Sequence, residues 1–150
     1  MAQTLVSLLV HLVFSTKHRA DLITPEIEPE LFAYLSAILN KHESRCLAVG
    51  GTANHVHLLA SLSKNIALST LLNELKKSSS KWIKTKGARF RDFGWQDGYG
   101  AFSIGQSNVA ALKQYIARQK EHHRGRSFES EMLMLLGKYG VRYDEQYLWR

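Results

Sequence analysis

The sequence predicts an α+β sandwich, a central four-stranded antiparallel sheet carrying helices, and three observations predict it. Apolar runs rich in Leu and Val alternate with stretches whose leucines recur at helical spacing, in the order strand, helix, strand, strand, helix, strand. The second and third strands are parted only by the short stretch Gly50-Gly51-Thr52-Ala53-Asn54, which returns the chain directly. With 150 residues, 45% of them hydrophobic and 22% charged, the chain has the size of one domain, residues 1–150, with room for a real core.

Leu5 to Phe14 is too short and too β-branched to favour a helix and reads as a buried strand. It lacks a preceding basic residue and a following small-residue cleavage site, it contains His11, and it is too short to span a membrane, so a cytoplasmic protein is expected. The strand leaves through Ser15-Thr16-Lys17-His18-Arg19. Thr24-Pro25-Glu26 has the form of a helix entry, with Pro29 able to move the start one turn later, and Leu31, Leu35, Ile38 and Leu39 follow at helical spacing up to Lys41-His42. Arg45 to Val49 is a second strand, Gly50-Gly51 with Asn54 a turn, and the apolar run after it a third strand. A second helix carries Leu68, Leu71, Leu72, Leu75 and Trp82 on one side. The aromatic loop from Phe93 to Gly100 suits either stacking on nucleobases or lidding the core. Ala101 to Ile104 is the fourth strand, and Ser107 is placed to cap a third helix reaching about His123. After Gly125 a fourth helix carries Phe128, Met132 and Leu135, and a tail with Tyr143, Tyr147 and Trp149 is too aromatic to be left in water. This order is that of a ferredoxin-like, RRM-like sandwich with the third strand central, helices on one face and the other face available.

Twenty Lys and Arg against 13 Asp and Glu give a net charge of +7, which favours a polyanionic partner, nucleic acid first and an acidic membrane surface second. Lys76, Lys77, Lys81, Lys84, Lys86, Arg89 and Arg91 crowd the end of the second helix and its exit as a candidate phosphate-binding ridge, with Lys17 and Arg19 as further candidate contacts. A single cysteine, Cys46, excludes an intrachain disulfide and a multi-cysteine zinc site. His55 and His57 are one residue apart in a strand, so both imidazoles project to one face while Val56 faces the opposite layer. Two such imidazoles can grip a divalent ion; half-buried polar strand positions are the plainer alternative. Tyr115 and Gln119 are four apart on the third helix, flanking a stripe of Val109, Leu112 and Ile116. Together, two imidazoles and an amide oxygen would form a neutral, open, three-ligand metal site that leaves the full positive charge to polarise a phosphate oxygen, and the adjacent tyrosine would serve as nucleophile.

These residues resemble the HUH-type single-tyrosine transposases of very small insertion sequences, the IS200-like family with its REP-associated relatives. The resemblance covers nearly the whole chain: Val13-Phe14-Ser15-Thr16-Lys17-His18-Arg19, the Gly50-Gly51 approach to His55-Val56-His57, Trp95-Gln96-Asp97-Gly98-Tyr99, Tyr115-Ile116 with Gln119 and His122-His123, and the ending Tyr143 to Trp149. Asn54 departs from the pattern, where relatives often have Asp; it keeps the turn and a hydrogen bond but loses a charge. The resemblance implies a DNA-cleaving and rejoining enzyme in which His55, His57 and Gln119 bind Mg²⁺ or Mn²⁺. It further implies that Tyr115 attacks single-stranded DNA with hairpin ends, giving a 5′-phosphotyrosine and a free 3′-OH. A homodimer is implied too, and the glycines bracketing the tyrosine helix permit sites shared between subunits. Two other readings are a replication-initiator-like HUH nuclease and a domesticated, non-catalytic single-stranded DNA-binding protein.

Overall fold

A computed structural model describes residues 2–150. Its centre is a four-stranded antiparallel sheet of β1 (Leu9–Ser15), β2 (Arg45–Thr52), β3 (His55–Ser61) and β4 (Gly100–Ile104), in the spatial order β2-β3-β1-β4. That is the ferredoxin-like arrangement the sequence predicts, with the histidine strand inside the sheet. β1 is shorter than expected, because its first residue, Leu9, already pairs with Ser61 and Ile104, the last residues of its two neighbours. Of the described residues before it, Leu8 accepts the Leu62 N–H at 2.7 Å, and Leu5 and Val6 stay exposed.

Period-two alternation sorts the central strands between two layers. Leu12 and Phe14 of β1 and Val56, Leu58 and Ala60 of β3 face α1 (Glu28–Lys41) and α2 (Leu68–Ile83), where Leu31, Leu35, Leu39, Leu71, Leu72 and Leu75 complete the main core. Pro29 sits in the first turn of α1, where its missing N–H costs nothing. Trp95 of the aromatic loop meets Phe14 edge to face at 4.8 Å and donates its indole N–H to Ser79 Oγ at 2.9 Å, so the loop lids this core.

The opposite face was expected to be available, and it is not. α3 (Val109–Ala117), a one-turn α4 (Gln119–His122) and α5 (Phe128–Lys138) close over it. The reason is apolar: Phe128, Met132, Leu135 and Leu136 of α5 bury themselves on Val13 and Phe102, forming a second core. α5 starts cleanly because Ser127 Oγ accepts the Ser130 N–H. Ser107 makes no such cap; it lies in a 3₁₀ turn, and α3 begins at Val109. In the tail, α6 (Glu145–Leu148) and Trp149 pack on the second core, whereas Tyr143 and Tyr147 remain exposed at 44% and 57%, against expectation. Among the described residues no helix is long and apolar enough to cross a membrane.

Candidate active site

The histidine strand enters the second layer through a tighter hairpin than the sequence implies. Gly50 and Gly51 do not form the turn: both lie in β2, and the chain reverses at Ala53-Asn54. The glycine at position 50 serves packing instead. A Cβ there would stand 2.3 Å from the Ile116 carbonyl oxygen, so α3 can lie against β2 only because no side chain intervenes. This close approach brings the tyrosine helix to the histidines.

His55 and His57 are fully buried and share the sheet face that α5 covers. Each outer ring nitrogen is held from behind. His55 Nδ1 lies 2.8 Å from Asn54 Oδ1 and 3.0 Å from Thr52 Oγ1, and His57 Nδ1 lies 2.8 Å from His11 Nε2. The inner nitrogens turn towards a carboxylate that the sequence reading did not single out, Glu131 of α5. Its Oε1 is 3.0 Å from His57 Nε2, 3.4 Å from His55 Nε2 and 3.0 Å from His123 Nε2. Its Oε2 accepts the Tyr115 hydroxyl and, at 3.1 Å, the Gln119 side-chain N–H. Gln119 Oε1 closes the ring at 2.9 Å from His55 Nε2.

Tyr115 and Gln119 therefore meet at the site, though not along one helix face. The helix ends at Ala117, Arg118 turns aside at φ −105°, ψ 24°, and α4 restarts at Gln119. The Arg118 N–H is shared between the Gln114 and Tyr115 carbonyls, the usual closure of a helix end. Glu131 did leave a trace in the sequence. It lies within the apolar stripe of α5, beside Phe128, Met132 and Leu135, where a carboxylate must find partners or lose its charge.

Electrostatics keep that charge. Burial alone would push the Glu131 carboxyl up, but hydrogen bonds from the histidines and Tyr115 outweigh it and hold the group well below the usual carboxylate range. Burial drives His57 down against the upward pull of Glu131, and drives His11 to about 3, so both are neutral imidazoles near pH 7. Tyr115 is pushed above its ordinary value, first by burial and then by the Glu131 carboxylate.

The residues fit a small divalent cation. One ligand atom each from His55, His57 and Glu131 lies within 4.8 Å of the others. Ligands held at about 2.1 Å on adjacent octahedral corners stand about 3 Å apart, comparable with the 3.0 Å and 3.4 Å of the His57–Glu131 and His55–Glu131 pairs and the 2.9 Å of His55–Gln119. Glu131 also changes the chemistry of the set. The expected ligands were all neutral; a carboxylate adds a charge and a hard oxygen, which suits Mg²⁺ or Mn²⁺ better than imidazoles alone.

The candidate DNA contacts divide. Lys17, Lys77, Lys81, Lys84, Arg89 and Arg91 are exposed, the last five along α2 and the turns after it, a layer on the far side of the sheet from the histidines. Lys76 is engaged within the fold: its ammonium donates to the carbonyls of Gln96, at 2.9 Å, and Gly98, lies 5.5 Å from the Tyr99 ring centre, and is lowered by burial to about 8. Arg19 is likewise engaged, donating to the Trp149 carbonyl at 3.3 Å and pairing with Glu129 at 3.8 Å. Lys77→Ala with Lys81→Ala is expected to weaken single-stranded DNA binding and to flatten its log–log salt dependence by roughly 0.7 per lost phosphate contact, read by anisotropy titration. Lys76→Ala is expected instead to lower the melting temperature, by roughly 2–4 °C per kcal/mol lost. An unchanged slope in the double variant would return those lysines to ordinary solvated surface.

Comparison with known proteins places this geometry in context. Residues 4–119 match the family model described as "Transposase IS200 like". The transposase for insertion sequence element IS200 of Salmonella typhimurium strain LT2 is 26% identical over 120 residues, covering 76% of this chain and 78% of the relative, and that of Salmonella typhi matches equally. Among solved structures, a candidate transposase from Deinococcus radiodurans R1 superposes with a TM-score of 0.62 at 21% identity, covering 79% of this chain and 95% of its own. A REP-associated tyrosine transposase solved bound to a REP hairpin superposes with a TM-score of 0.60 at 13% identity, covering 95% of this chain and 87% of its own. The family match ends at Gln119, so Glu131 and α5 lie beyond it.

Proposed function

This chain belongs to the family of IS200-like transposases, and from that membership we propose that it is a metal-dependent enzyme that cuts and rejoins single-stranded DNA through Tyr115. One observation carries the reading: the Tyr115 hydroxyl, both histidines and Gln119 all converge on the two oxygens of one buried carboxylate. His55, His57, Glu131 and Gln119 would hold Mg²⁺ or Mn²⁺. Once bound, the ion supplies positive charge that polarises the scissile phosphate.

The chain's own residues do the rest. Asn54 and His11 hold the two rings from behind, so the ring planes stay aimed at the site. The two oxygens of Glu131 have separate tasks, Oε1 towards the histidines and Oε2 towards the phenol. The Tyr115 oxygen attacks phosphorus while its proton passes to Glu131 Oε2. The bond from phosphorus to the 3′ oxygen breaks, that oxygen leaves as a hydroxyl carrying the proton the phenol gave up, and the 5′ end stays esterified to the tyrosine. The ester conserves the energy of the broken bond, so attack by a 3′-OH rejoins strands without ATP.

A cavity of about 510 Å³ lies beside the histidines, lined by Arg19 and Arg126 against Asp21 and Glu129, with His18, Asn54 and His123 between them, and the two guanidiniums are the groups there that could meet a phosphate. The hairpin bound by the REP-associated relative supports hairpin-ended DNA as the substrate here. We read the working form as a homodimer. The Tyr115 and His57 rings lie 5.9 Å apart within one chain, so a site can be completed without a partner, and exchange of α3 would replace one tyrosine by its equivalent. The test is incubation with labelled single strands from the DNA flanking the gene, plus Mg²⁺ or Mn²⁺. A covalent adduct that survives boiling in detergent is expected; strands that bind but never form it would leave a DNA-binding protein without cleavage.

A further inference from the structure

We propose that His11 is a positioning residue for the histidine pair, holding His57 through a hydrogen bond whose direction reverses when the inner nitrogen of His57 exchanges Glu131 for a cation. The proposal rests on the metal-dependent reading above. It starts from the register of the sheet: Val13 lies opposite His57 and His11 opposite Leu59, so His11 is the diagonal neighbour of His57 on the same face. The two rings stack at 5.0 Å and 25°, with His11 Nε2 2.8 Å from His57 Nδ1.

A neutral imidazole carries one N–H. With His57 Nε2 at 3.0 Å from Glu131 Oε1, that hydrogen belongs on Nε2. His57 Nδ1 is then a bare acceptor, and His11 must donate from Nε2. A cation on His57 Nε2 needs the lone pair there, which moves the hydrogen of His57 to Nδ1. Now His57 donates and His11 Nε2 must accept, with the His11 hydrogen on Nδ1. Each ring keeps one hydrogen throughout, and the pair gains or loses no net proton.

That exchange is possible only if nothing else dictates the tautomer of His11. Its Nδ1 is the one buried side-chain nitrogen or oxygen without a partner among the described residues. Such an orphan normally costs stability and calls for an explanation. A fixed acceptor at that position would lock His11 as an acceptor towards His57, and a fixed donor would lock it as a donor; with no protein group fixed there, both tautomers are allowed. The surroundings agree: the groups around His11 are His57, the Phe102 and Tyr115 rings, the Glu131 carboxylate and the Lys138 ammonium, and none of them hydrogen-bonds Nδ1 as acceptor or donor. His55 makes the contrast: its Nδ1 faces Asn54 Oδ1, an oxygen that can only accept, whereas His57 Nδ1 faces a second imidazole that can do either.

The experiment uses the full chain without DNA and reads Mn²⁺ binding by calorimetry. His11→Phe keeps the ring and its stacking and removes both nitrogens; it is expected to weaken Mn²⁺ binding by roughly 10–100-fold. His11→Gln places an amide that can donate or accept, and it is expected to recover most of the loss. On ¹⁵N-histidine-labelled wild type, His57 should carry its hydrogen on Nε2 without metal and on Nδ1 with saturating Mg²⁺. Mn²⁺ affinity within twofold of wild type in His11→Phe, or a His57 tautomer unchanged by Mg²⁺, overturns the role of His11 alone. Should His11→Phe fail to fold, the His11 tautomer in wild type decides the matter: hydrogen on Nε2 without metal and on Nδ1 with saturating Mg²⁺ supports the role, and one tautomer in both states overturns it. Wild type that takes up no Mn²⁺ overturns the metal reading, and the role of His11 with it.

Discussion

Tyr115→Phe is expected to abolish strand cleavage and the covalent adduct while leaving DNA binding close to wild type. The substitution deletes one oxygen. The ring keeps its stacking on His122 at 4.7 Å, and no cation of the exposed ridge is touched. Glu131 Oε2 loses the phenol but keeps the Gln119 N–H at 3.1 Å, so the cost in stability should stay near 1–2 kcal/mol. Chemistry has no such reserve. Without a nucleophile no ester forms, and loss of a covalent catalyst of this kind lowers the rate by roughly 10⁴-fold or more. The check is a denaturing gel of labelled single strand beside an anisotropy titration of the same strand. An adduct that persists at wild-type yield would name another nucleophile, with Tyr139, which lines the same cavity of about 440 Å³ as Tyr115, first in order.

The second large effect is expected at the carboxylate and the histidines. His55→Ala with His57→Ala removes both nitrogen ligands and should lower cleavage by at least roughly 10³-fold, equivalent to about 4 kcal/mol of transition-state stabilisation. Chelation of wild type should do the same. The double variant also strips Glu131 of two of its three imidazole partners, leaving His123 at 3.0 Å, and breaking a buried charged network costs roughly 3–5 kcal/mol, so its melting curve must accompany the assay. Glu131→Gln is the gentler companion, keeping the shape while removing the charge. It should weaken Mn²⁺ binding if the carboxylate is a ligand. Tighter Mn²⁺ binding would instead show a carboxylate that plugs the site and must withdraw before metal enters. Co-refolding the double histidine variant with Tyr115→Phe then asks where the site is built. Exchange of the tyrosine helix between protomers gives one intact site per mixed dimer and restores activity, whereas sites built within each chain leave every dimer dead. Cleavage undiminished in excess chelator would end the metal mechanism altogether.

The motifs of the sequence carried the resemblance to the family; the sequence by itself also determined the sheet and the layer in which the histidines lie. Sheet and layer follow from local regularities: a period of two in β3 sends His55 and His57 one way and Val56 the other, and helical spacing places Leu31 to Leu39 and Leu71 to Leu75 against the sheet. Tertiary structure alone decided what closes over the site. Glu131 is 74 residues from His57, and only the burial of Phe128, Met132 and Leu135 on Val13 and Phe102 carries it there. Gly50 reads as a turn from its neighbours in the chain, yet its bare Cα matters because Ile116 arrives from elsewhere to lie against it. Lys76 reads as one cation of a ridge until the carbonyls of Gln96 and Gly98 claim its ammonium. In each case the deciding partner is distant in sequence and brought near by apolar packing, a force that is non-directional and leaves no spacing rule in the chain to read.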